Sequence, residues 1–288
     1  MQRKETYRNL VHLSTLVTVS VVIMVIAGCS SLQREDALSD SGESKKGDSL
    51  EVKVMSFNIA GDGDLEEWEE RKGLVADIIR QQRPDVVGLQ EAILINIHYI
   101  IEAVGGYAYY GVNELGQDND EAESLRLLYR TDRWEVDESN SGIFWFTSTP
   151  EVAGSKDWGA LWIRDCVFAR LVDKDTNEGF YVYNSHWSYA SQESRSKSAR
   201  LLVERIQGRK YDEPFVAIGD FNARKRDESI MYLKDSDENP VPMKEAVYNY
   251  VDWIFSESGE FEIVNSEIID NEEASDHKAI SAVIRFNE

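Results

Sequence analysis

One stretch, P-F-V-A-I-G-D-F-N-A at residues 214–223, constrains the fold more than any other part of the chain. Its apolar run is bounded by a proline and a glycine, which predicts a buried central strand. Asp220 and Asn222 follow that run, so a carboxylate and an amide stand where the strand leaves its sheet. Ligand sites in layered α/β proteins favour such strand ends. Taken alone, the two residues are as typical of an Asx turn as of a site, so the rest of the chain must decide.

Other predicted strands also have polar residues at their ends. Apolar runs and alternating patterns predict strands at 51–59, 85–90, 164–173, 179–185, 251–255 and 278–286. The polar residues at or next to the ends of these strands are Asn58, Glu91, Asn184, His186, Asp252, Asp276 and His277. A polar residue at the end of one strand is explained by a turn. Polar residues at the ends of several strands are expected when those ends lie along one edge of a sandwich and converge on one pocket.

The remaining pattern defines the fold class. Helical spacing of apolar residues predicts helices that end near residue 82 and that cover 92–103 and 192–207. Further strands are predicted near 107–112, 124–129, 134–137, 143–146 and 261–268. We therefore expect a single α+β domain over residues 51–288. It would be a four-layer α/β sandwich, in which two packed and mostly antiparallel sheets are flanked by helices.

The collected side chains suit phosphoester hydrolysis. Glu91, Asp220, Asp276 and the amides are hard oxygen donors, which suit Mg²⁺, Mn²⁺ or Ca²⁺. The sequence has no Cys/His cluster with the spacing of a zinc site. A cation beside a phosphate neutralises developing charge and orients water, while His186 and His277 beside carboxylates supply an acid and a base near neutral pH.

Six motifs, taken in chain order, resemble the endonuclease/exonuclease/phosphatase superfamily, which has the deoxyribonuclease-I-like fold. They are S-F-N-I at 56–59, G-L-Q-E-A at 88–92, N-S-H at 184–186, G-D-F-N-A at 219–223, V-D-W-I-F at 251–255 and S-D-H at 275–277. The resemblance covers about 51–287 and implies a divalent-metal-dependent phosphoesterase. Members act on substrates as different as nucleic acids, inositol phosphates and sphingomyelin. The segment 141–171 further resembles a bacterial branch of the superfamily.

The resemblance also implies roles for individual residues. It makes Glu91 the principal metal ligand, with Asn58 nearby and Asp276 supporting the metal side. It assigns positioning or activation of the water to Asp220 and binding of the phosphate to Asn222.

Two histidine pairs follow from the same resemblance. His277 would pair with Asp252 and act on the phosphate or the water. His186 would pair with Glu123, although Glu123 is equally explained as a surface residue of an acidic loop. The residues with weaker claims to substrate binding are Arg71, Tyr109, Asn184 and Arg195.

The sequence departs from the family pattern in ways that affect the substrate. W-S-Y follows His186 where the family often has a polar or acidic residue and then a histidine. The stretch between Asn222 and Asp252 is short for the family, and that region commonly shapes substrate access. The basic run Arg224–Arg226 is unusual, and it is explained either as a clamp for a second phosphate or as a solvated turn.

The N-terminal segment predicts export and anchoring. A basic start is followed by mostly apolar residues, and I-A-G-C at 26–29 resembles the bacterial lipoprotein signal. We expect residues 1–28 to be a signal peptide, Cys29 to be lipidated, and 29–50 to be a flexible tether because it is polar and aperiodic. The alternative is an uncleaved transmembrane anchor. Both interpretations place the domain outside the cytoplasm, in a bacterial cell envelope.

Charge bears on the substrate. The chain carries −22, and residues 1–28 contribute three basic groups and one acidic group, so their removal leaves −24. Such a charge opposes a long polyanion, because nucleic-acid binding requires Lys and Arg that neutralise phosphates. The local basic clusters are Arg195, Lys197 and Arg200, Arg209 and Lys210, and Arg224–Arg226. The last of these clusters directly follows Asp220 and Asn222 in the chain, which predicts a positive funnel for a small or lipid-borne phosphoester. A nuclease and a non-catalytic surface module remain alternatives, and we expect a monomer.

Overall fold

The computed structural model describes residues 49–286 apart from 62, 64, 121, 260 and 272. The predicted signal peptide, Cys29 and the predicted tether up to residue 48 lie outside these residues. Leu50, at the end of the predicted tether, is buried in the core and its carbonyl accepts a hydrogen bond from the Phe286 amide at 2.8 Å. Among the residues that the structure describes, no helix has both the length and the hydropathy needed to span a membrane.

The described residues form two sheets. In spatial order the first contains β12 (Phe261–Ile268), β13 (Ile280–Phe286), β1 (Glu51–Asn58), β2 (Val86–Ala92), β4 (Ser124–Arg130) and β3 (Tyr107–Tyr110). The second contains β10 (Met243–Asn249), β11 (Asp252–Glu257), β9 (Phe215–Asp220), β8 (Gly179–His186), β7 (Asp165–Asp173) and β5 (Trp134–Val136). A short strand, β6 (Gly142–Trp145), also pairs with β7.

Helices cover the outer faces of both sheets. Those on the first sheet are α1 (Leu65–Gln82) and α2 (Leu94–Val104), and those on the second are α3 (Gln192–Gln207) and α4 (Glu228–Asp235). Successive strand residues point to opposite faces. Val52 and Val54 therefore pack between the sheets, whereas Met55 and Phe57 pack under α1 and α2. The predicted four-layer α+β sandwich is confirmed.

The region between Asn222 and Asp252 differs from the prediction, which placed no element there. The structure has α4 and β10 in this region. Helix α4 is only two turns long and begins at Asp227, whose side chain accepts a hydrogen bond from the Ser229 amide at 3.0 Å. A bulge between Glu245 and Val247 interrupts β10, so its side chains do not alternate as a strand pattern requires.

Two parallel strand pairs position the site. β1 and β2 are parallel and joined through α1, and β8 and β9 are parallel and joined through α3, whereas the other pairings are antiparallel. Parallel strands end at the same edge of a sheet. Asn58 consequently pairs with Gln90, beside Glu91, in the first sheet, and His186 pairs with Asp220 in the second.

Candidate active site

A pocket of about 690 Å³ opens where the two parallel pairs end. Its floor is lined by Glu91, Glu123, His186, Asp220, Asn222 and His277. The remaining lining residues are Gly63, Leu65, Ile93, Glu114, Asp120, Ala122, Trp162, Arg164 and Tyr189. Six of the residues predicted from the sequence are thus brought into one cavity by five different strands or the loops after them.

The backbone around Glu91 directs its side chain into the pocket. The register between β2 and β4 shifts between Leu89 and Ala92, which is a β-bulge, and Glu91 has a φ of 51°. A bulge bends a strand and turns a side chain away from the regular alternation. Asn222, at the far side of the floor, also has a positive φ, of 48°.

Gly219 allows β9 to pass close to β8 just before Asp220. Its φ is 142°, a conformation that residues with a side chain rarely adopt. A Cβ atom at this position would lie 1.9 Å from the Ser185 carbonyl oxygen. Glycine is therefore required for the backbone geometry that delivers the Asp220 carboxylate to the floor.

Two carboxylates of the floor are joined by an amide. The Asn58 side-chain nitrogen donates to Glu91 Oε1 at 2.9 Å and to Asp220 Oδ2 at 3.3 Å. The Asn58 oxygen accepts from the Ala60 amide at 3.0 Å. Asn58 lies in the metal region as predicted, but it turns its nitrogen, not its oxygen, toward the two carboxylates. The other oxygen of Asp220, Oδ1, accepts from the Asn222 amide at 2.8 Å.

His186 forms the predicted pair with Glu123. Nδ1 lies 3.0 Å from Glu123 Oε1, and Nε2 faces Glu91 Oε1 at 3.8 Å and Asp220 Oδ2 at 3.6 Å. Burial and the charge of Arg164 lower the pKa of His186, but Glu123 and Asp220 outweigh them and raise it above its usual value. Burial raises the pKa of Glu123, yet His186 and Arg164 together hold it below its usual value. Glu123 is therefore part of the pocket and not of a solvated loop.

His277 forms the second predicted pair, with Asp252. Its Nδ1 lies 3.1 and 3.0 Å from the two oxygens of Asp252, and its Nε2 lies 3.9 Å from Asp220 Oδ2. Burial lowers the pKa of His277, but the hydrogen bond and charge of Asp252 and the charge of Asp220 raise it to about 9. The imidazole is therefore protonated at neutral pH and presents an N–H to the pocket.

The donor set fits a divalent cation on one side of the floor. Ligand atoms of Glu91, His186 and Asp220 lie within 4.8 Å of one another, as do those of Asp220, Asp252 and His277. The second group is unsuitable, because His277 is protonated and bonded to Asp252. The first group has two carboxylates, those of Glu91 and Asp220, which supply the oxygen ligands that hard cations require. The Asn58 nitrogen holds both carboxylates in place.

The structure does not bring Asp276 into either cluster. The residue is exposed, and its carboxylate Oδ1 lies 3.4 Å from the Ser275 hydroxyl. Ser275 instead donates to the Asn58 carbonyl at 2.7 Å and accepts from the His277 amide at 3.2 Å. The motif S-D-H thus connects β1 to His277 through its serine, and the metal role predicted for Asp276 has no geometric support.

Two of the predicted substrate-binding residues stabilise loops and do not line the pocket. Arg71 donates to the carbonyls of Ile59, Ala60 and Ala274. Arg195 donates to Asp227 and to the carbonyls of Ser188 and Tyr189. Both guanidinium groups are therefore engaged by the protein itself.

Tyr109 and Asn184 are also engaged elsewhere. The Tyr109 hydroxyl donates to Asp118 at 3.0 Å. Asn184 is fully buried between the sheets, where its nitrogen donates to the carbonyls of Leu89 and Arg126 at 3.0 and 3.2 Å and its oxygen accepts from Gln90 at 2.7 Å. It connects the two sheets directly behind the site.

The predicted positive funnel is wrong. None of the three basic clusters lines the pocket, and several of their members pair with acidic residues elsewhere, such as Arg200 with Glu238 and Lys225 with Glu245. Among the described lining residues, the only Lys or Arg is Arg164. It is 6% exposed, faces Glu123 at 3.6 Å and donates to the Trp187 carbonyl.

Sequence reasoning missed the residues around the opening of the pocket. Glu114 lines it, and burial together with Glu123 and Asp165 raises the Glu114 pKa to about 7. Trp162 and Tyr189 line it as well and are 59% and 56% exposed. The available signal was an apolar pair, Leu161–Trp162, within a long aperiodic loop, where large apolar residues are unexpected.

Comparisons with known proteins agree with this geometry. Residues 55–277 match the Endonuclease/Exonuclease/phosphatase family. An uncharacterized protein, L388, of Acanthamoeba polyphaga mimivirus is 25% identical over 169 residues, which is 54% of this chain. The chain spans 59% of the length of that curated relative.

Solved structures share the fold. An endonuclease/exonuclease/phosphatase from Bacteroides vulgatus has a TM-score of 0.76 at 25% identity, covering 83% of this chain and 100% of its own. A mannosyl-6-phosphatase from Bacteroides thetaiotaomicron has a TM-score of 0.66 at 24% identity, covering 82% and 100%. The family match spans most of the described residues and contains both histidine pairs. The chain therefore belongs to the endonuclease/exonuclease/phosphatase family.

Proposed function

We propose that this protein is a divalent-metal-dependent phosphoester hydrolase acting on small or lipid-borne phosphoesters outside the cytoplasm. The observation that carries the proposal is the position of Asp220. Its carboxylate is 2% exposed and lies within 4 Å of Nε2 of both histidines, each of which is bonded through Nδ1 to a further carboxylate. Such an arrangement combines a proton acceptor with a cationic donor.

In this proposal Glu91 and Asp220 hold the cation, and the Asn58 nitrogen positions both carboxylates. When bound, the cation offsets the charge of the phosphate and lowers the pKa of a water. Asp220 Oδ2 accepts the proton of the attacking water, while the Asn222 amide keeps Oδ1 in place. As the water oxygen bonds to phosphorus, the bond from phosphorus to the ester oxygen breaks, and the leaving alcohol takes up a proton from the solvent. The protonated His277 donates through Nε2 to a phosphate oxygen, and Asp252 stabilises its positive charge.

His186 and Asn222 complete the floor. Glu123 holds His186 Nδ1, so that Nε2 is directed toward Glu91 and Asp220. The Asn222 side chain donates one hydrogen to the Trp187 carbonyl at 3.0 Å, which leaves its other N–H for the phosphate. Both residues would orient the ester relative to the water.

A nuclease is the alternative, and the charge of the pocket disfavours it. Nucleic-acid binding depends on several Lys or Arg contacts to phosphates. The described lining supplies Arg164 alone, and this side chain is buried and bonded to the protein. Carboxylates surround the floor, so a second or third phosphate of a polynucleotide would meet negative charge.

Metal removal tests the hydrolase proposal. With Mg²⁺ present, we expect hydrolysis of at least one member of a panel of sugar phosphates, nucleotides, phospholipids and DNA, and we expect EDTA to abolish it. Glu91→Gln should raise the Mg²⁺ concentration for half-maximal rate by roughly tenfold or more, since it removes a charged ligand. Glu67→Gln is the control, because Glu67 is exposed on α1 away from the pocket. Hydrolysis that is indifferent to both EDTA and Glu91→Gln would contradict the proposal.

We also propose that Cys29 carries the lipid anchor in a bacterial envelope, on the strength of the I-A-G-C sequence at 26–29. Stable anchoring takes more than one acyl chain, which the lipoprotein modification supplies. Mass spectrometry of the purified full-length protein should show acyl chains on Cys29 and none after Cys29→Ser. Cys166→Ser should leave the lipid in place, because Cys166 is buried in the domain. Lipid on residue 29 of the Ser variant would refute this assignment.

A further inference from the structure

The opening of the pocket exposes large apolar side chains. We call it the mouth and define it by Leu65, Ile93, Glu114, Asp120, Trp162 and Tyr189. Leu65, Trp162 and Tyr189 are 54%, 59% and 56% exposed. Exposed apolar side chains gathered at one cavity mark a binding surface, whereas single ones scattered over a surface need no explanation. The mouth is therefore suited to contact the part of a substrate that is not phosphate.

The loop that carries Trp162 is held in place by hydrogen bonds, one within the loop and one from the N-terminal cap of α3. It runs from residue 146 to 164, between β6 and β7. Lys156 Nζ donates to the Leu161 carbonyl at 2.8 Å, next to Trp162, and the Ser191 hydroxyl donates to the Trp158 carbonyl at 2.7 Å. Long loops with internal packing are commonly functional. Trp162 is thus displayed from a fixed loop and not from a fraying one.

The polar groups of the mouth indicate what the bound portion carries. Glu114 and Asp120 contribute carboxyl groups, and the described mouth residues include no Lys or Arg. An ionised carboxylate accepts hydrogen bonds, and a carboxyl that is partly protonated, as the raised pKa of Glu114 implies, also donates one. Both forms complement hydroxyl groups, and the ionised form repels a second phosphate. A nucleobase would call for paired donors and acceptors, which carboxylates beside apolar side chains do not supply.

These observations lead to a substrate class. We infer that the mouth binds an uncharged, hydroxyl-bearing ring that carries a single phosphate, as in a hexose monophosphate. Trp162 and Tyr189 contact the apolar faces of the ring, and Glu114 and Asp120 accept hydrogen bonds from its hydroxyls. The cavity volume of about 690 Å³ lies within the range of small-molecule sites. The inference rests on the proposed hydrolase function, because the phosphate must occupy the floor.

Substrate-dependent kinetics test the inference with the full-length protein and Mg²⁺. Trp162→Ala and Tyr189→Ala should each lower kcat/KM for hexose 6-phosphate by roughly tenfold, mostly through KM, as expected for loss of an aromatic contact made before the chemical step. The same variants should leave kcat/KM for methyl phosphate within about twofold, because this substrate has no ring to contact. A hexose 1,6-bisphosphate should be a poorer substrate than the 6-phosphate for the unsubstituted protein.

Two controls match the exposure of the tested side chains. Tyr250 is 58% exposed and Leu161 is 54% exposed, and neither lines this pocket. Tyr250→Ala and Leu161→Ala should change neither substrate's kinetics. If Trp162→Ala and Tyr189→Ala lowered kcat/KM equally for hexose phosphate and methyl phosphate, or for neither, the inference would be overturned. A nucleotide, phosphocholine or phospholipid as the best substrate with no effect of Trp162→Ala would also overturn it.

A binding measurement separates failure of the inference from failure of the hydrolase proposal. If the unsubstituted protein hydrolyses no member of the substrate panel, the hydrolase proposal is wrong. Titration calorimetry of hexose 6-phosphate into the metal-free protein then tests the mouth alone. Trp162→Ala should weaken this binding, whereas Leu161→Ala should not. Binding that is absent or indifferent to Trp162→Ala overturns the inference.

Discussion

Replacing Asp220 by Asn is expected to remove nearly all phosphoester hydrolysis while the domain stays folded. The carboxylate lies 3.6 Å from His186 Nε2 and 3.9 Å from His277 Nε2, and it is 2% exposed. An amide of the same shape keeps these neighbours but has no basic oxygen to accept a proton. Losing a positioned acid–base group costs about 10²- to 10⁴-fold in rate. The measurement is kcat on the best substrate, with circular dichroism to verify the fold.

Asp276→Asn is the matched control for this prediction. Both positions carry aspartate within motifs that resemble those of the family, but Asp276 is exposed and outside the two clusters of the floor. We expect its removal to change kcat by less than about threefold, since the carboxylate is exposed, joins neither cluster and acts on the floor only through its charge beside His277. Near-full turnover by Asp220→Asn, or a loss of similar size in Asp276→Asn, would show that the floor has been assigned wrongly.

Gly219→Ala is expected to prevent stable folding. The added methyl would lie 1.9 Å from the Ser185 carbonyl oxygen, which belongs to the backbone of β8 and has no flexible side chain to move aside. The φ of 142° adds backbone strain for any residue with a Cβ. Together these effects are expected to lower the free energy of unfolding by more than about 4 kcal/mol, which is exceptional for a single substitution. Urea denaturation and the yield of soluble protein measure it.

Gly73→Ala provides the control for this loss. Gly73 lies within α1, and a Cβ at this position would have no neighbour within 4 Å. Alanine there should stabilise the protein by about 0.5–1 kcal/mol, because glycine is a poor helix former. A Gly219→Ala protein that unfolds at the same urea concentration as the unsubstituted one would contradict the geometry of β9 described above.

The floor of the site could be predicted because the ends of strands can be recognised in the sequence. Asp220 and His186 follow apolar runs, and two parallel pairs bring such ends to one edge. The sequence does not show in this way how deeply a strand residue is buried between the sheets. Asn184 and His186 are two residues apart on β8 and share a face, yet Asn184 lies between the sheets and His186 opens into the pocket. That difference is set by how the sheets pack and not by a local pattern.

Charged side chains were the least predictable part of the site. Arg195 and Arg164 are similar in sequence context, each near a predicted element, but only Arg164 reaches the pocket. A guanidinium group has a long stem, so its position depends on which carbonyls and carboxylates the loops place around it. Loop geometry arises from tertiary contacts, such as the bonds from Arg195 to Ser188 and Tyr189, which no short motif encodes. The position of Trp162 likewise depends on loop geometry that no short motif encodes.

The route of β1 across the domain has a consequence for attachment. Glu51 begins β1 beside Arg285, near the end of β13, whereas Asn58 ends it at the floor of the site roughly 25 Å away. Both ends of the folded domain thus lie at the pole opposite the pocket. A fusion partner placed directly ahead of residue 50 would therefore start at the end of the domain that does not carry the pocket. Such a fusion should leave the entrance open to molecules arriving from the surrounding medium.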